Sequence, residues 1–94
     1  RAQLAELGAE LNRRILRGWM AQGVGVVDPA STWVDVTAEL AQDVTLEQGV
    51  LVRGTTRIGQ GARVGAYAIL TDAVIPAGCV VTPFSQLDAD AAQA

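Results

Sequence analysis

The stretch that decides the fold runs from Val34 to Leu70 and reads VDVTAELAQDVTLEQGVLVRGTTRIGQGARVGAYAIL. Branched aliphatic residues recur in it every six positions without an error, at Val34, Leu40, Leu46, Val52, Ile58, Val64 and Leu70. An amphipathic helix repeats about every 3.6 residues and a hairpin strand alternates residue by residue, so neither produces this period. A fixed period of six predicts a parallel β-helix built from hexapeptides, each one a short strand and a tight corner.

Two further positions of the hexapeptide agree with this interpretation. The fourth residue after each aliphatic is small or β-branched and can point inward at a corner, as at Ala38, Val44, Val50, Thr56, Ala62 and Ala68. Asp43, Gly49 and Gly61 stand three residues after an aliphatic, where a tight corner favours residues that tolerate positive φ. Gly59 and Gly65 directly follow their aliphatics and are also predicted at turns.

The frame slips by one residue after Leu70, and the period then continues with Ile75, Val81 and Leu87. One corner is therefore predicted to be a residue shorter, and the small partners become Cys79, Ser85 and Ala91. We expect about three coils over residues 23–88 and a tail over residues 89–94. The alternative is a β-sandwich of short, evenly spaced strands, which would need polar hairpin loops of varied length.

The pattern before residue 23 is helical instead. An apolar stripe with spacings of three and four predicts a helical arm over residues 1–22, and its members are Leu4, Leu7, Leu11, Ile15 and Trp19. Gly8 and Gly18 project onto the same side of the helix. They either allow another backbone to approach the helix closely or have no specific role there. Gly23 is a plausible stop signal.

The segment between helix and repeats, residues 24–29, is an extended apolar run that ends at Asp28-Pro29. It predicts a first, irregular strand that caps the β-helix. Trp33 is interpreted as a packing or capping residue rather than a platform on which a ligand stacks. An apolar cross-section needs a cap, so a chain that starts inside a helix and ends in an Ala-rich tail is expected to be a fragment or to be protected by association.

Composition argues against several classes of partner. The 94 residues carry a net charge of -3 and are 4% aromatic, which disfavours a nucleic-acid or acidic-membrane partner. No signal peptide or membrane-length apolar run is visible, so a cytoplasmic location is expected. The single Cys79 falls at an inward position and is predicted to be a buried structural thiol rather than a nucleophile.

Candidate catalytic groups are few because the chain contains no His. Acyl transfer to an amine needs a base with a pKa near neutral, and a carboxylate serves only if burial raises its pKa. The acidic residues of the coils fall at corners or exposed positions and are predicted to form a solvated face: Asp28, Asp35, Glu39, Asp43, Glu47, Asp72, Asp88 and Asp90. We therefore predict no catalytic, cofactor-binding or metal-binding residue.

The cations of the coils are Arg53, Arg57 and Arg63. They could gather on one edge to contact an anion such as a sugar phosphate; otherwise they are solubilising or interface residues. Gly59-Gln60-Gly61 imitates part of a dinucleotide loop, but without a strand and helix around it these are interpreted as corner glycines.

The order of these features resembles a known family. The chain opens with RAQLAEL and continues through Asn12-Arg13-Arg14, Gly23-Val24 and Asp28-Pro29 into the hexapeptides, with LTDAVI at the shortened step and VTPFS beyond it. This series is similar to the junction region of the bifunctional bacterial N-acetylglucosamine-1-phosphate uridyltransferase and glucosamine-1-phosphate acetyltransferase. Other sugar nucleotidyltransferases with β-helical tails remain alternatives.

The resemblance implies a left-handed β-helix that forms a homotrimer and follows a helical arm. It also implies, for the full-length parent, acetyl transfer from acetyl-CoA to glucosamine 1-phosphate and uridylyl transfer from UTP with Mg²⁺, giving UDP-N-acetylglucosamine for the cell wall. Two hypotheses follow for this chain. It is an inactive linker arm and trimerisation platform, or it is a self-standing hexapeptide acyltransferase completed across a trimer interface.

Overall fold

The computed structural model describes the backbone of residues 2–89 and the side chains of residues 8–89. One helix, α1 (Ala2–Ala21), comes first. Eleven short strands follow within the described residues: β1 (Gly25–Val26), β2 (Trp33–Val34), β3 (Glu39–Leu40), β4 (Thr45–Leu46), β5 (Leu51–Arg53), β6 (Arg57–Ile58), β7 (Arg63–Val64), β8 (Ile69–Thr71), β9 (Val74–Ile75), β10 (Val80–Val81) and β11 (Gln86–Leu87).

Consecutive strands lie in different sheets, so the chain winds around a common axis. Sheet A has the order β1-β4-β7-β10, sheet B the order β2-β5-β8-β11 and sheet C the order β3-β6-β9. Every strand pair in the described residues is parallel. The predicted fold class, a parallel β-helix after one long helix, is confirmed, and the alternative of a hairpin sandwich is wrong. The solenoid makes about four turns rather than about three, because its eleven strands include β1, which precedes the first repeat aliphatic.

The repeat positions form the core as the period predicts. The aliphatics from Val34 to Val81 are at most 7% exposed, and Leu87 is partly buried against them. The small partners from Ala38 to Ala68 are also buried, as is Ala73, the partner at the slipped frame that the pattern did not single out. The shortened corner is confirmed between β8 and β9. Beside it the buried Thr56 hydroxyl donates to the Arg53 carbonyl at 2.8 Å and accepts the Ala73 N–H at 3.2 Å.

Cys79 contradicts the prediction of a buried thiol, because its side chain is exposed. It does occupy the expected repeat position, directly before β10. In the described part of the chain, however, β10 is the terminal strand of sheet A, and no further coil is stacked over it. The corner that carries Cys79 is therefore covered on one side only, whereas the larger Val81 of β10 remains buried against the core.

The corner positions have the predicted conformation. Asp43, Gly49 and Gly61 have φ values of 63°, 71° and 74°. Tyr67 and Phe84 occupy the same corner as Gly49 in later coils, with φ values of 61° and 62°, and the glycine and aspartate pattern could not find them. Gly59 and Gly65 are not at positive φ. They are sites of close backbone approach instead, because a Cβ there would lie 2.4 Å from the Ala77 nitrogen and 2.6 Å from the Pro83 nitrogen, respectively.

Helix α1 packs against β1 and β2, at the end of the solenoid where the chain enters it. The predicted stripe is correct for Ile15 and Trp19, which pack on the core, and wrong for Leu11, which is 54% exposed. Leu16, which the stripe did not include, is fully buried. Leu4 and Leu7 lie outside the described side chains.

The two helical glycines, Gly8 and Gly18, also differ in their surroundings. A Cβ at Gly8 would lie 3.6 Å from the Trp33 ring, so the helix comes near β2 there, whereas Gly18 has no neighbour within 4 Å and is merely tolerated. The face that meets the solenoid therefore runs through residues 8, 12, 15, 16 and 19. The predicted first strand is confirmed as β1, which pairs with β4.

Candidate functional site

The outward residues of sheet B form an apolar row. In each short strand the repeat aliphatic points inward, so the residue before it points outward. Trp33, Leu51 and Ile69 are aligned in register across β2, β5 and β8. Trp33 is 38% exposed, and the other two side chains are half-buried. We call these three residues the sheet B ladder.

In the coils of Trp33 and Leu51 the outward rows of the other two sheets are polar, whereas the coil of Ile69 carries the exposed Val74 on sheet C and the exposed Val80 on sheet A. Sheet C places Glu39 beside Arg57, with their charged atoms 3.3 Å apart. Sheet A places Thr45 beside Arg63, whose guanidinium lies 3.0 Å from the Glu47 carboxylate. Exposed ion pairs of this kind contribute little stability, but they keep these two faces hydrated. Sheet B is therefore the face with a continuous apolar row across three coils, with Arg53 exposed at its margin, and the other two faces are charged over two coils.

The three coil arginines do not gather on one edge, contrary to the prediction of a possible anion site. Arg53 lies in sheet B, Arg57 in sheet C and Arg63 in sheet A. The reason is geometric, because successive hexapeptides turn to successive faces of the solenoid. Arg57 and Arg63 are engaged with glutamates, so their charge is locally balanced.

The corner that leads from sheet A to sheet B carries an aromatic pair. The Tyr67 and Phe84 rings are stacked, with centroids 5.5 Å apart and planes 12° apart. They are 50% and 76% exposed. Gly49 lies under Tyr67 in the preceding coil. Because Tyr67 precedes Ile69 by two residues, the pair continues the apolar surface of the sheet B ladder around the corner.

Asn12 joins α1 to the coils and was not predicted as a contact residue. It is 6% exposed. Its Nδ2 donates to the Thr32 carbonyl at 2.7 Å, and its Oδ1 accepts the Val34 N–H at 3.1 Å. The signal in the sequence was its position one turn before Leu16, on the face that is now seen to be buried. The predicted stripe runs through Leu11 instead, so Asn12 does not stand out in the sequence.

Several carboxylates hold corners together rather than forming a purely solvated face. Asp35 accepts the Trp33 indole N–H at 2.7 Å and the Gly54 N–H at 2.8 Å. Asp72 likewise accepts the Thr55 N–H at 2.9 Å. These hydrogen bonds join neighbouring coils or lie within one turn, so the Asp35 and Asp72 side chains stabilise the corners. Asp90 lies outside the described residues.

Two clefts flank Trp33 at the joint between helix and coils. The larger, about 640 Å³, lies between α1 and the corner before β2, and Arg13, Ser31 and Leu51 are among its lining residues. The smaller, about 250 Å³, lies on the other side, beside Leu11 and Val36. The Trp33 ring lies beside Gly8 of α1 and its indole N–H donates to Asp35, which supports the packing role predicted for it.

Neither a metal-binding cluster nor a membrane-spanning helix is present in the part of the chain that the structure describes. Among the side chains of residues 8–89, no group of three or more Cys, Asp and Glu residues could hold a metal ion. Helix α1, over the part that the structure describes, is not long and apolar enough to cross a membrane.

The hexapeptide repeat, the three parallel sheets and the helix packed on their entry end define the chain as a hexapeptide β-helix protein. Its relatives are proteins named bifunctional protein GlmU. It is 56% identical over 81 residues to the one from Kineococcus radiotolerans, 52% over 81 residues to that of Micrococcus luteus and 50% over 82 residues to that of Cutibacterium acnes. These matches cover 86% to 87% of this chain. No protein-family model matches it.

The resemblance found in the sequence is thereby confirmed, and the chain belongs to the bifunctional GlmU family. It spans only 16% to 20% of the length of these three relatives.

Proposed function

We propose that this chain is the linker arm and assembly platform of a bifunctional GlmU protein. Helix α1 is the arm, and the coils are the platform on which copies of the chain associate as a homotrimer. For the full-length parent we propose acetyl transfer to glucosamine 1-phosphate and uridylyl transfer from UTP, in the cytoplasm, in UDP-N-acetylglucosamine synthesis. Both active sites are assigned to parts of the parent outside these residues.

The sheet B ladder is the observation that carries the proposal. A three-sided solenoid whose sheet B carries an apolar row across three coils can turn this face toward a common axis, where every subunit of a closed cyclic assembly buries it. Full burial of an aliphatic or aromatic side chain stabilises by roughly 1.5–3 kcal/mol. The ladder and the Tyr67–Phe84 corner therefore offer several kcal/mol that the isolated chain does not use.

The alternative is a self-standing hexapeptide acyltransferase whose missing groups come from a neighbouring copy. It needs a base near the acceptor amine. The chain has no His, and the carboxylates Asp35 and Asp72 already accept hydrogen bonds from corner residues. These observations favour the assembly role.

Sedimentation equilibrium combined with titration of acetyl-CoA into the 94-residue chain separates the two functions. We expect the mass of a trimer and no acetyl-CoA binding at micromolar concentrations. Micromolar binding of acetyl-CoA would support the acyltransferase, and a monomer at all accessible concentrations would refute the platform.

A further inference from the structure

Strand β2 is the edge strand of sheet B at the end where the chain enters the solenoid. One side of β2 is bonded to β5: the Trp33 N–H donates to the Val50 carbonyl and the Asp35 N–H to the Val52 carbonyl, both at 2.9 Å. The other side presents the Thr32 carbonyl and the Val34 N–H, one acceptor and one donor two residues apart. Unpaired groups of this kind are a template for another strand.

The side-chain amide of Asn12 forms hydrogen bonds with both of these backbone groups. In a parallel ladder, a residue donates its N–H to the carbonyl of residue i on its neighbour and accepts the N–H of residue i+2. Asn12 does the same with a primary amide, since Nδ2 donates to Thr32 and Oδ1 accepts from Val34. One side chain thus reproduces one residue of a fifth strand.

The surroundings of Asn12 fix this amide in place. Asn12 is 6% exposed, and Leu16, one helical turn later, is fully buried in the core. Helix α1 therefore cannot turn about its axis without both withdrawing Leu16 from the core and breaking two buried hydrogen bonds. Leaving a buried backbone donor or acceptor unpaired is destabilising, because the group loses its bonds to water without gaining a partner.

We propose that Asn12 is an end stop for sheet B, which prevents a strand of a second copy of this chain from adding to β2. Its amide occupies the bonding positions that an added strand would need, and the helix behind it fills the space. The inference is independent of the assembly surface proposed above, which is the outward face of the sheet and not its edge.

Amide hydrogen exchange of the full chain, followed by NMR, tests the proposal. The Val34 amide reports the Asn12 bond, and the Asp35 amide, bonded to β5 on the other side, is an internal reference. In the wild-type chain we expect Val34 to be protected along with Asp35. A wild-type Val34 amide that exchanges like an unbonded one would overturn the proposal without any variant.

Two substitutions remove the amide, Asn12→Ala and Asn12→Leu, and the second retains bulk and helix propensity in case the first does not fold. We expect Val34 exchange to accelerate by about tenfold or more while Asp35 changes little. The exposed Arg17→Ala, on the same helix, should leave both rates unchanged. Equal protection of Val34 in the Asn12 variants and the wild type would contradict the role of Asn12.

Sedimentation velocity over a range of concentrations tests whether Asn12 prevents a second copy from adding to β2. We expect the Asn12 variants to form species larger than those of the wild type, in proportions that rise with concentration. Variants with a rapidly exchanging Val34 and the wild-type size distribution would show that Asn12 does not act as an end stop.

Discussion

At the aromatic corner, the lack of a side chain at one residue makes room for the side chain of the equivalent residue in the next coil. Gly49 has φ 71°, and a Cβ on it would lie 2.4 Å from Cδ1 of Tyr67. The absence of a side chain at Gly49 therefore lets the Tyr67 ring lie down over the corner, where it stacks on Phe84. Gly61 has nearly the same φ, 74°, but has no neighbour within 4 Å of its hypothetical Cβ.

The pair of substitutions Gly49→Ala and Gly61→Ala separates backbone strain from ring packing. Both force alanine into the left-handed region, which costs about 1–2 kcal/mol. Gly49→Ala should cost about 0.5–1.5 kcal/mol more, because the Tyr67 ring must leave its stacked position. Urea denaturation of the two variants measures the difference, and equal losses would show that the aromatic pair adds nothing to stability.

At the residue scale, the sequence predicted the roles of residues that recur in every coil and missed residues whose role occurs only once in the chain. The inward aliphatics and the corner glycines are each confirmed, because every coil imposes the same constraint on them. Asn12 was missed since its role depends on how the helix meets β2. The burial predicted for Cys79 is wrong because no coil is stacked over the corner before β10 in the described residues, and this depends on the stack rather than on the residue.

At the scale of elements, α1 closes the apolar cross-section of the solenoid. Leu16 is fully buried there, with Ile15 and Trp19 packed beside it. The sequence predicted the helix and its approximate bounds, since spacings of three and four are unambiguous over twenty residues. It placed the stripe through Leu11 because leucine is more apolar than asparagine, and hydropathy alone does not show that a polar side chain can pair with a strand edge.

Two truncations on this helix distinguish its faces. Leu16→Ala should lower the free energy of unfolding by about 2–5 kcal/mol, as expected for a cavity in a packed core. Leu11→Ala should change it by about 0.5 kcal/mol or less, because Leu11 is 54% exposed. Chemical denaturation followed by far-UV circular dichroism measures both. Comparable losses for the two leucines would mean that α1 is seated through Leu11, as the sequence had indicated.

At the scale of the whole molecule, the three faces differ in chemistry although they share one repeat. Sheets A and C carry the cross-strand ion pairs, and sheet B carries Trp33, Leu51 and Ile69. The sequence predicted the winding but not this difference. Outward residues of one sheet recur only once per coil, 17 to 20 positions apart, so each row has too few members to form a visible pattern in the sequence.

The platform proposal depends on the ladder, and the size of the assembly after one substitution tests it most directly. Ile69→Asp places a charge in the outward row of sheet B. Val74→Asp, at an outward position 44% exposed in sheet C, is the matched control. If copies meet through sheet B, sedimentation equilibrium should give a trimer for the wild type and Val74→Asp, and a folded chain of lower mass for Ile69→Asp. A trimer that survives Ile69→Asp but is lost in Val74→Asp would contradict the account.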